Sequence, residues 1–262
     1  MANRGTNVKR FVLNCVPSVG TETDWGFEDA IAAGVLDVSE VPPSRDLRED
    51  WWKIRNQERT GACVGFATAD GVLRWHYVKA DLIETSDLPA PRFIWMANKE
   101  TDNMTSYPTT FIERAGTQTK LVLRVARNYG CVMETDLPMK GVLSPLTTAE
   151  FDTKASRFRI ASYHNLGRDL GHWRSWLGNH GPILTRLGVD RTWDRATENN
   201  GFLSEYRPET VRGGHAACLV GYTEEYFIVR NSWGTNWGDK GFAYALDAYA
   251  SEAFSEAYGA VM

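Results

Sequence analysis

The stretch "NQERTGACVGFATA" (residues 56–69) places a cysteine, Cys63, inside a turn of small residues where a loop feeds a helix. Whether Cys63 is a small core residue or a nucleophile decides how the rest of the chain is read. A nucleophilic thiol needs help to become a thiolate near neutral pH, a base to hold its proton, a group to orient that base, and donors where an oxyanion forms. The N-terminus of a helix supplies positive partial charge near the sulfur, which predicts a lowered thiol pKa. Gly61 and Ala62 keep the approach open, and Gln57, six residues upstream, can donate a side-chain N–H beside the backbone N–H of Cys63.

The other groups lie far down the chain. His215 opens the apolar stretch "HAACLVGY", which reads as a strand. A histidine at the mouth of a strand is expected to be rigid enough to aim and exposed enough to titrate. Asn231 ends "YFIVRN", the following strand, where its amide oxygen can accept from His215 and fix the ring's tautomer. Trp233, two residues on, is placed to shield that bond from water.

With these residues in view, the chain resembles the papain-like cysteine peptidases. "NQERTGACVGFA" is similar to that family's nucleophile segment, "GGHAACLVGY" to its histidine strand, "NSWGTNWGDKGF" to its asparagine segment and "VPPSRDLRE" to its mature N-terminus. The resemblance spans about residues 41–246. It implies Cys63 as nucleophile, His215 as base, Asn231 as orienting group and Gln57 as oxyanion donor. It implies hydrolysis of peptide bonds through a thioester, with an acyl transferase on the same triad, or a non-catalytic interaction protein of the same fold, as alternatives. "AGTQTKLVLRVARNYG" resembles the family's substrate wall, so that Gly116 would let a peptide backbone approach and Thr117 would offer it backbone groups. By the same alignment Arg186, in "GPILTRLGV", falls on the wall of a side-chain pocket, with Gly213 and Ala216 flanking His215 on the other side and Trp233 alongside. An inward Arg186 would favour an acidic substrate residue, whereas a one-residue shift in register would turn it outward.

Departures from the pattern are informative. Thr60 stands where the family usually has a disulfide-forming cysteine, Val64 replaces an aromatic residue, and only 40 residues precede the matching domain, too few for a long inhibitory propeptide. Cys63 to His215 spans 152 residues (215 − 63) and Cys63 to Asn231 spans 168 (231 − 63), slightly longer than the family signature, so an insertion is expected around "WDRATENNGFLSEYRPETVRG". A bacterial or phage-type intracellular member fits these departures.

Composition agrees with a globular enzyme and excludes other classes. The chain has 262 residues, 43% hydrophobic and 24% charged, with a net charge of −4. That balance predicts no nucleic-acid or membrane partner, and the partner expected is a peptide or protein substrate. No apolar run approaches the roughly 20 residues of a membrane span, and the N-terminal "FVL" run is too short for a signal-peptide core, so a cytoplasmic location is expected. The four cysteines, Cys15, Cys63, Cys131 and Cys218, are widely spaced and expected to be reduced. Without C-x-x-C spacing, neither a metal nor any other cofactor is implied. Cys218 reads as core and Cys131 as a buried helix exit, while Cys15 is open between packing and a redox or interaction role. His76, His164, His172 and His180 have no motif partners and read as structural or surface residues.

Pattern predicts an α+β fold of two lobes with a cleft between them. Helices are expected after Cys63, over "TSDLPAPRFIWMANKE", over "TQTKLVLRVARNYG" with Gly130 as its stop, and over "LGRDLGHWRSWLGNHGP". Strands are expected over "RFRIASYH", "ILTRLGV", "HAACLVGY", "EYFIVRNSW" and "KGFAYAL". The expected organisation is an N-terminal extension, 1–40, followed by a papain-like domain, 41–262, mainly helical over 41–140 and mainly β over 141–262. The extension reads as packed on the domain, or as blocking its cleft.

Overall fold

The structure, a computed structural model, describes residues 11–101, 116–140 and 146–262. Its helical lobe is built around the run that begins at Cys63. Helix α1 (Phe27–Ala32) and the short strand β1 (Arg45–Asp46) precede it. The run itself starts as α2 (Cys63–Gly65), widens into a π-helix (Phe66–Leu73) and ends as α3 (Arg74–Lys79). Every residue of the π-helical section is buried, including the polar Thr68 and Asp70. The widened turns suit a close sheet contact. Cys218 donates its S–H to the Ala67 carbonyl at 2.8 Å, and a Cβ at Gly71 would lie 2.3 Å from that sulfur.

Asp70, on the same run, is a buried carboxylate that takes Arg230 at 2.8 Å and Arg74 at 3.3 Å, with Arg55 at 3.8 Å. Three cations around one carboxylate leave excess positive charge. Glu134 offsets it from the far side of Arg55, and the carbonyls of Lys53 and Thr85 take up Arg230 and Arg74. Because Arg230 immediately precedes Asn231, this cluster ties the strand end that carries Asn231 to the helix that carries Cys63.

Helices α4 (Pro91–Thr101) and α5 (Thr119–Asn128) pack beside the central run. Gly130, at φ 94°, ends α5 as its position predicts. Helix α6 (Thr148–Ala155) opens on a capping box in which Thr147 and Glu150 satisfy each other's backbone N–H groups. Strand β2 (Ser162–Asn165) follows, then α7 (Leu170–Asn179), capped by Asp169. The sheet strands are β3 (Ile183–Val189), β4 (Phe202–Leu203), β5 (Gly213–Tyr222), β6 (Tyr226–Arg230) and β7 (Phe242–Leu246), then α8 (Asp247–Ala253) and β8 (Phe254–Val261).

These strands form a sheet in the order β2-β8-β3-β5-β6-β7-β4, with β1 added on β5. All pairings are antiparallel except β4 with β7. A helical lobe against an antiparallel-rich sheet is the predicted α+β arrangement. Two elements depart from the sequence reading. The strand expected over "RFRIASYH" begins only at Ser162, because Ser156–Phe158 forms a 3-10 turn first. Strand β8 was not expected, since "FSEAYGAV" is rich in small residues with weak strand preference. Those small residues are what its position requires: a Cβ at Gly259 would lie 2.0 Å from the Trp176 ring. The segment read as an insertion, 193–213, carries two 3-10 turns and β4, and sends Trp193 back into the core.

Residues 11–40 lie along the body of the protein. Phe27 packs its ring against His172 and Trp176, and Asp24 receives Lys120 at 2.6 Å and the Tyr258 hydroxyl at 2.9 Å. The leading part, Phe11–Val19, enters the space between the helical lobe and the sheet.

Candidate active site

Each motif residue arrives from a different element. Cys63 is the first residue of α2, His215 the third of β5, and Asn231 follows the last residue of β6. The loop before Cys63 is stitched to the asparagine segment by backbone bonds, Gln57 N–H to the Ser232 carbonyl at 2.8 Å and Gly234 N–H to the Arg55 carbonyl at 3.1 Å. That pairing brings Gln57 to the other motif residues. His215 Nε2 lies 2.8 Å from Asn231 Oδ1. An amide oxygen only accepts, so the ring carries its proton on Nε2 and leaves Nδ1 bare. Nδ1 is buried and has no hydrogen-bond partner, which makes it a base awaiting a proton.

Gln57 is equally well fixed. Ser232 Oγ donates to its Oε1 at 2.8 Å, and its Nε2 donates to the Thr60 carbonyl at 3.0 Å. One N–H of the amide remains for an oxyanion. Ser232 also donates its backbone N–H to Asn231 Oδ1 at 2.8 Å, so this one serine holds both helpers. Tryptophans close the histidine in: Trp233 is 4.9 Å and Trp193 5.6 Å from its ring centroid. Trp193 and Ser232 went unsingled in the sequence. Ser232 sat within the quoted "NSW", whereas Trp193 lay in a segment that matched nothing.

Two expectations about this site need correction. His215 was expected to be exposed enough to titrate, yet it and Cys63 are both 0% exposed. The helix N-terminus was expected to lower the Cys63 pKa, yet burial pushes the thiol up to about 11. Backbone N–H groups of Ala216, Val64 and Cys63 itself pull it back only in part. Burial likewise pushes His215 down to about 4, against the opposing pull of its bond to Asn231. In this state the two side chains are a neutral pair. Desolvation outweighs the helix-end effect because charge cannot be hydrated there.

The protein's own residues 11–19 lie against this site. Phe11 stacks on Trp233 with centroids 4.5 Å apart and planes 3° from parallel. Cys15 N–H donates to the Gly214 carbonyl at 3.0 Å, and Val16 N–H to the Thr117 carbonyl at 3.1 Å. Ser18 then bonds Glu256 through both its N–H, at 2.8 Å, and its hydroxyl, at 2.6 Å. The strap therefore runs along the wall residues that the resemblance marks for a substrate backbone. Glycines make this approach possible: a Cβ at Gly116 would meet the Asn14 carbonyl at 1.9 Å, and one at Gly214 the Cys15 carbonyl at 2.0 Å. Gly213 faces Leu13 in the same way, and Ala216 is buried opposite Arg186 in the β3–β5 register.

Arg186 turns toward the strap. Its Nε donates to the Cys15 carbonyl at 3.1 Å and its Nη1 to Ser255 Oγ at 2.7 Å, while Glu256 stands 4.0 Å from Nε. All four cysteines are free. Cys131 and Cys218 are buried as expected, and His76 and His164 are buried beside aromatic rings.

The cysteine at a helix start, the paired histidine and asparagine, the fixed glutamine and the sheet that aligns them are an arrangement of the papain type. The sequence profile described as papain family cysteine protease matches residues 41–256, and the chain belongs to that family. It is similar to cathepsin J of Mus musculus, 23% identical over 244 residues that cover 88% of this chain and 66% of the relative. Peptidase 1 of Dermatophagoides pteronyssinus is 34% identical over 104 residues, covering 34% of this chain and 30% of the relative. Among solved structures, xylellain, a cysteine protease from Xylella fastidiosa, superposes with a TM-score of 0.76 at 20% identity, over 95% of this chain and 96% of that one. The procathepsin B S9 of Trypanosoma congolense gives 0.70 at 16% identity, over 99% and 91%. The chain thus spans about two thirds or less of the length of these curated relatives.

Proposed function

We propose that this chain hydrolyses peptide bonds through Cys63, and that the arrangement described above is its latent form. The observation that carries the chemistry is His215, fixed by Asn231 through Nε2 and left with a bare Nδ1. With the strap lifted, water and substrate reach the pair and the burial that holds both groups neutral is relieved. Cys63 then gives its proton to His215 Nδ1 and attacks the peptide carbonyl. The oxyanion is held by the remaining Gln57 N–H and the Cys63 backbone N–H. His215 protonates the departing amine, then takes a proton from the water that hydrolyses the thioester.

Latency is supported by the strap's course. It uses Gly116, Thr117, Gly214 and Trp233, so a substrate backbone and the strap compete for the same groups. Arg186 acts in this reading as a clamp on a backbone carbonyl. Its charge is already faced by Glu256 and its donors are shared with Ser255, which supports a backbone contact over selection of an acidic side chain.

The test is a peptide-library digest read by mass spectrometry, with the intact chain, a Phe11→Ala variant and a Cys63→Ala variant in parallel. Cleavage that rises in Phe11→Ala and vanishes in Cys63→Ala supports the proposal. Amide products formed with an added amine in place of free acids would assign acyl transfer instead. Cleavage that survives Cys63→Ala would remove Cys63 from the mechanism.

A further inference from the structure

Two tryptophans face the histidine of the site, and they are held in different ways. Trp233 lies two residues after Asn231, so the backbone of the asparagine segment places it, and its indole N–H has no hydrogen-bond partner. Phe11 of the strap stacks on it, and lifting the strap removes that neighbour. Trp193 comes from the segment after β3, far in the chain from every motif residue. Its ring stands at 82° to the His215 ring with centroids 5.6 Å apart, and it packs on Trp233 at 5.2 Å and on Trp237 at 4.8 Å.

A chain of side chains tethers that indole. Trp193 Nε1–H donates to the Tyr249 hydroxyl at 3.0 Å, and Tyr249 O–H donates to Asp190 Oδ1 at 2.8 Å. The Thr192 hydroxyl donates to the same Oδ1 at 2.6 Å, and the Arg207 backbone N–H to Oδ2 at 2.9 Å. Asp190, Tyr249 and Trp193 are all fully buried. The three donors to Asp190 are neutral, and a carboxylate withdrawn from water with no cation among its donors is costly to a fold. Packing alone explains neither polar group: a phenyl ring would fill the Tyr249 site, and an indole without a partner is tolerated at Trp233. What the carboxylate adds is direction. It draws the Tyr249 proton toward itself and leaves the hydroxyl oxygen to accept from the indole, and charge-assisted bonds of this kind are the stronger ones. Both anchors sit on regular elements, Asp190 directly after β3 and Tyr249 on α8. None of these bonds involves residues 11–19, so the tether outlasts the strap.

We propose that Asp190 and Tyr249 are positioning residues for the peptidase, holding the His215 ring in its working orientation through Trp193 once the strap has left. This rests on the reading of His215 as the base. The bond to Asn231 fixes one ring nitrogen but lets the ring swing about it. An indole held against the ring blocks the swing, keeps Nδ1 where the Cys63 proton is received, and keeps water off the bond to Asn231.

The experiment is a double-mutant cycle in the Phe11→Ala chain. Tyr249→Phe keeps the ring and removes the hydroxyl, and Trp193→Phe keeps an aromatic ring and removes the N–H. Tyr249→Phe should lower kcat by up to about 10²-fold, the cost of a misplacement of about 1 Å, with KM little changed. Because the hydroxyl acts only through the indole, the pair should be no slower than Trp193→Phe alone. Asp190→Asn should slow the chain that keeps Trp193 and leave Trp193→Phe as it was; if Asp190→Asn fails to fold, Tyr249→Phe decides. A second readout needs no turnover: solvent exchange of the His215 Nε2 proton, followed by NMR on chains labelled with ¹⁵N-histidine, should be faster in Tyr249→Phe. The proposal is overturned if folded Tyr249→Phe exchanges that proton at the parent rate, or if its loss in kcat multiplies with that of Trp193→Phe. Cleavage that survives Cys63→Ala would defeat the peptidase reading instead, and leaves the exchange result standing on its own.

Discussion

Truncating Phe11 to alanine should unlatch the enzyme. The Phe11 ring is 5% exposed and lies flat on Trp233, so its removal takes away both burial and stacking. Full burial of such a side chain contributes about 1.5–3 kcal/mol, and a well-placed aromatic pair adds about 0.5–1.5 kcal/mol. The strap should therefore dock about 2–4.5 kcal/mol less tightly, which is about a 30- to 1,600-fold shift toward the open form at about 1.4 kcal/mol per tenfold. The remaining anchors at Gly214, Thr117 and Glu256 stay in place, so the variant is loosened rather than stripped. The assay is the rate of iodoacetamide alkylation of Cys63 at pH 6, followed by mass, with circular dichroism as a control on folding. In the docked state the thiol ionises near 11 and is almost wholly protonated at pH 6. The rate should rise with the open fraction until the strap is fully released, then level off. A folded Phe11→Ala protein that alkylates no faster than the parent chain would refute the strap as the cause of the neutral pair.

Three further outcomes are expected. Gln57→Ala should lower kcat by about 10²–10³ with KM little changed, the usual effect of removing one oxyanion donor; steady-state kinetics in the unlatched background checks it, and parent-like turnover would exclude Gln57. Asp70→Ala leaves Arg230 and Arg74 buried without their carboxylate and should cost about 3–5 kcal/mol in urea unfolding; a loss below about 1 kcal/mol would mean the carbonyls of Lys53 and Thr85 suffice. Burial holds His76 near 4, helped by nearby His180, and holds His215 near 4, so both stay neutral in the fold while the unfolded chain takes up protons below about 6.5. Stability from these two groups should be complete above about pH 6.5 and fall as pH drops toward 4; the melting temperature of His76→Gln should decline less over that window, and equal declines would rule His76 out.

Much of the site was legible because its chemistry demands particular residues at particular places. Cys63, His215, Asn231 and Gln57 could be singled out from their motifs, and the structure joins His215 to Asn231 and ties Gln57 to the neighbouring Ser232. Strands such as Ile183–Val189 were legible from apolar runs bounded by turn residues. What escaped was set by packing across long sequence distances. Gly259 of β8 has no room for a Cβ because of Trp176, eighty-three positions away (259 − 176), and no local pattern announces that. The acid–base state of the site escaped for a similar reason. A helix end and an exposed strand mouth argue for a reactive pair, but Leu13, Cys15 and their neighbours arrive from another part of the chain and remove the water on which that argument depends. Trp193 was hidden because the segment around it reads as loop and gives no period to follow.

The contact between Cys218 and the π-helical turn limits how this protein can move. A sulfur seated against a glycine Cα, bonded to the carbonyl of Ala67 and set beside the Asp70–Arg230 pair, is a weld between the sheet and the long helix. Both parts of the nucleophile–base pair are mounted on that weld, Cys63 at one end of the helical run and His215 three residues from Cys218 on β5. A jaw that opened along the cleft would have to break it and would carry the two reacting atoms apart. The economical route to an open site is to peel away one chain segment from a rigid seat, as tape lifts from a surface. A protein built this way would keep its catalytic spacing throughout activation, and its rate of awakening would be set by the adhesion of about nine residues rather than by the stiffness of its core.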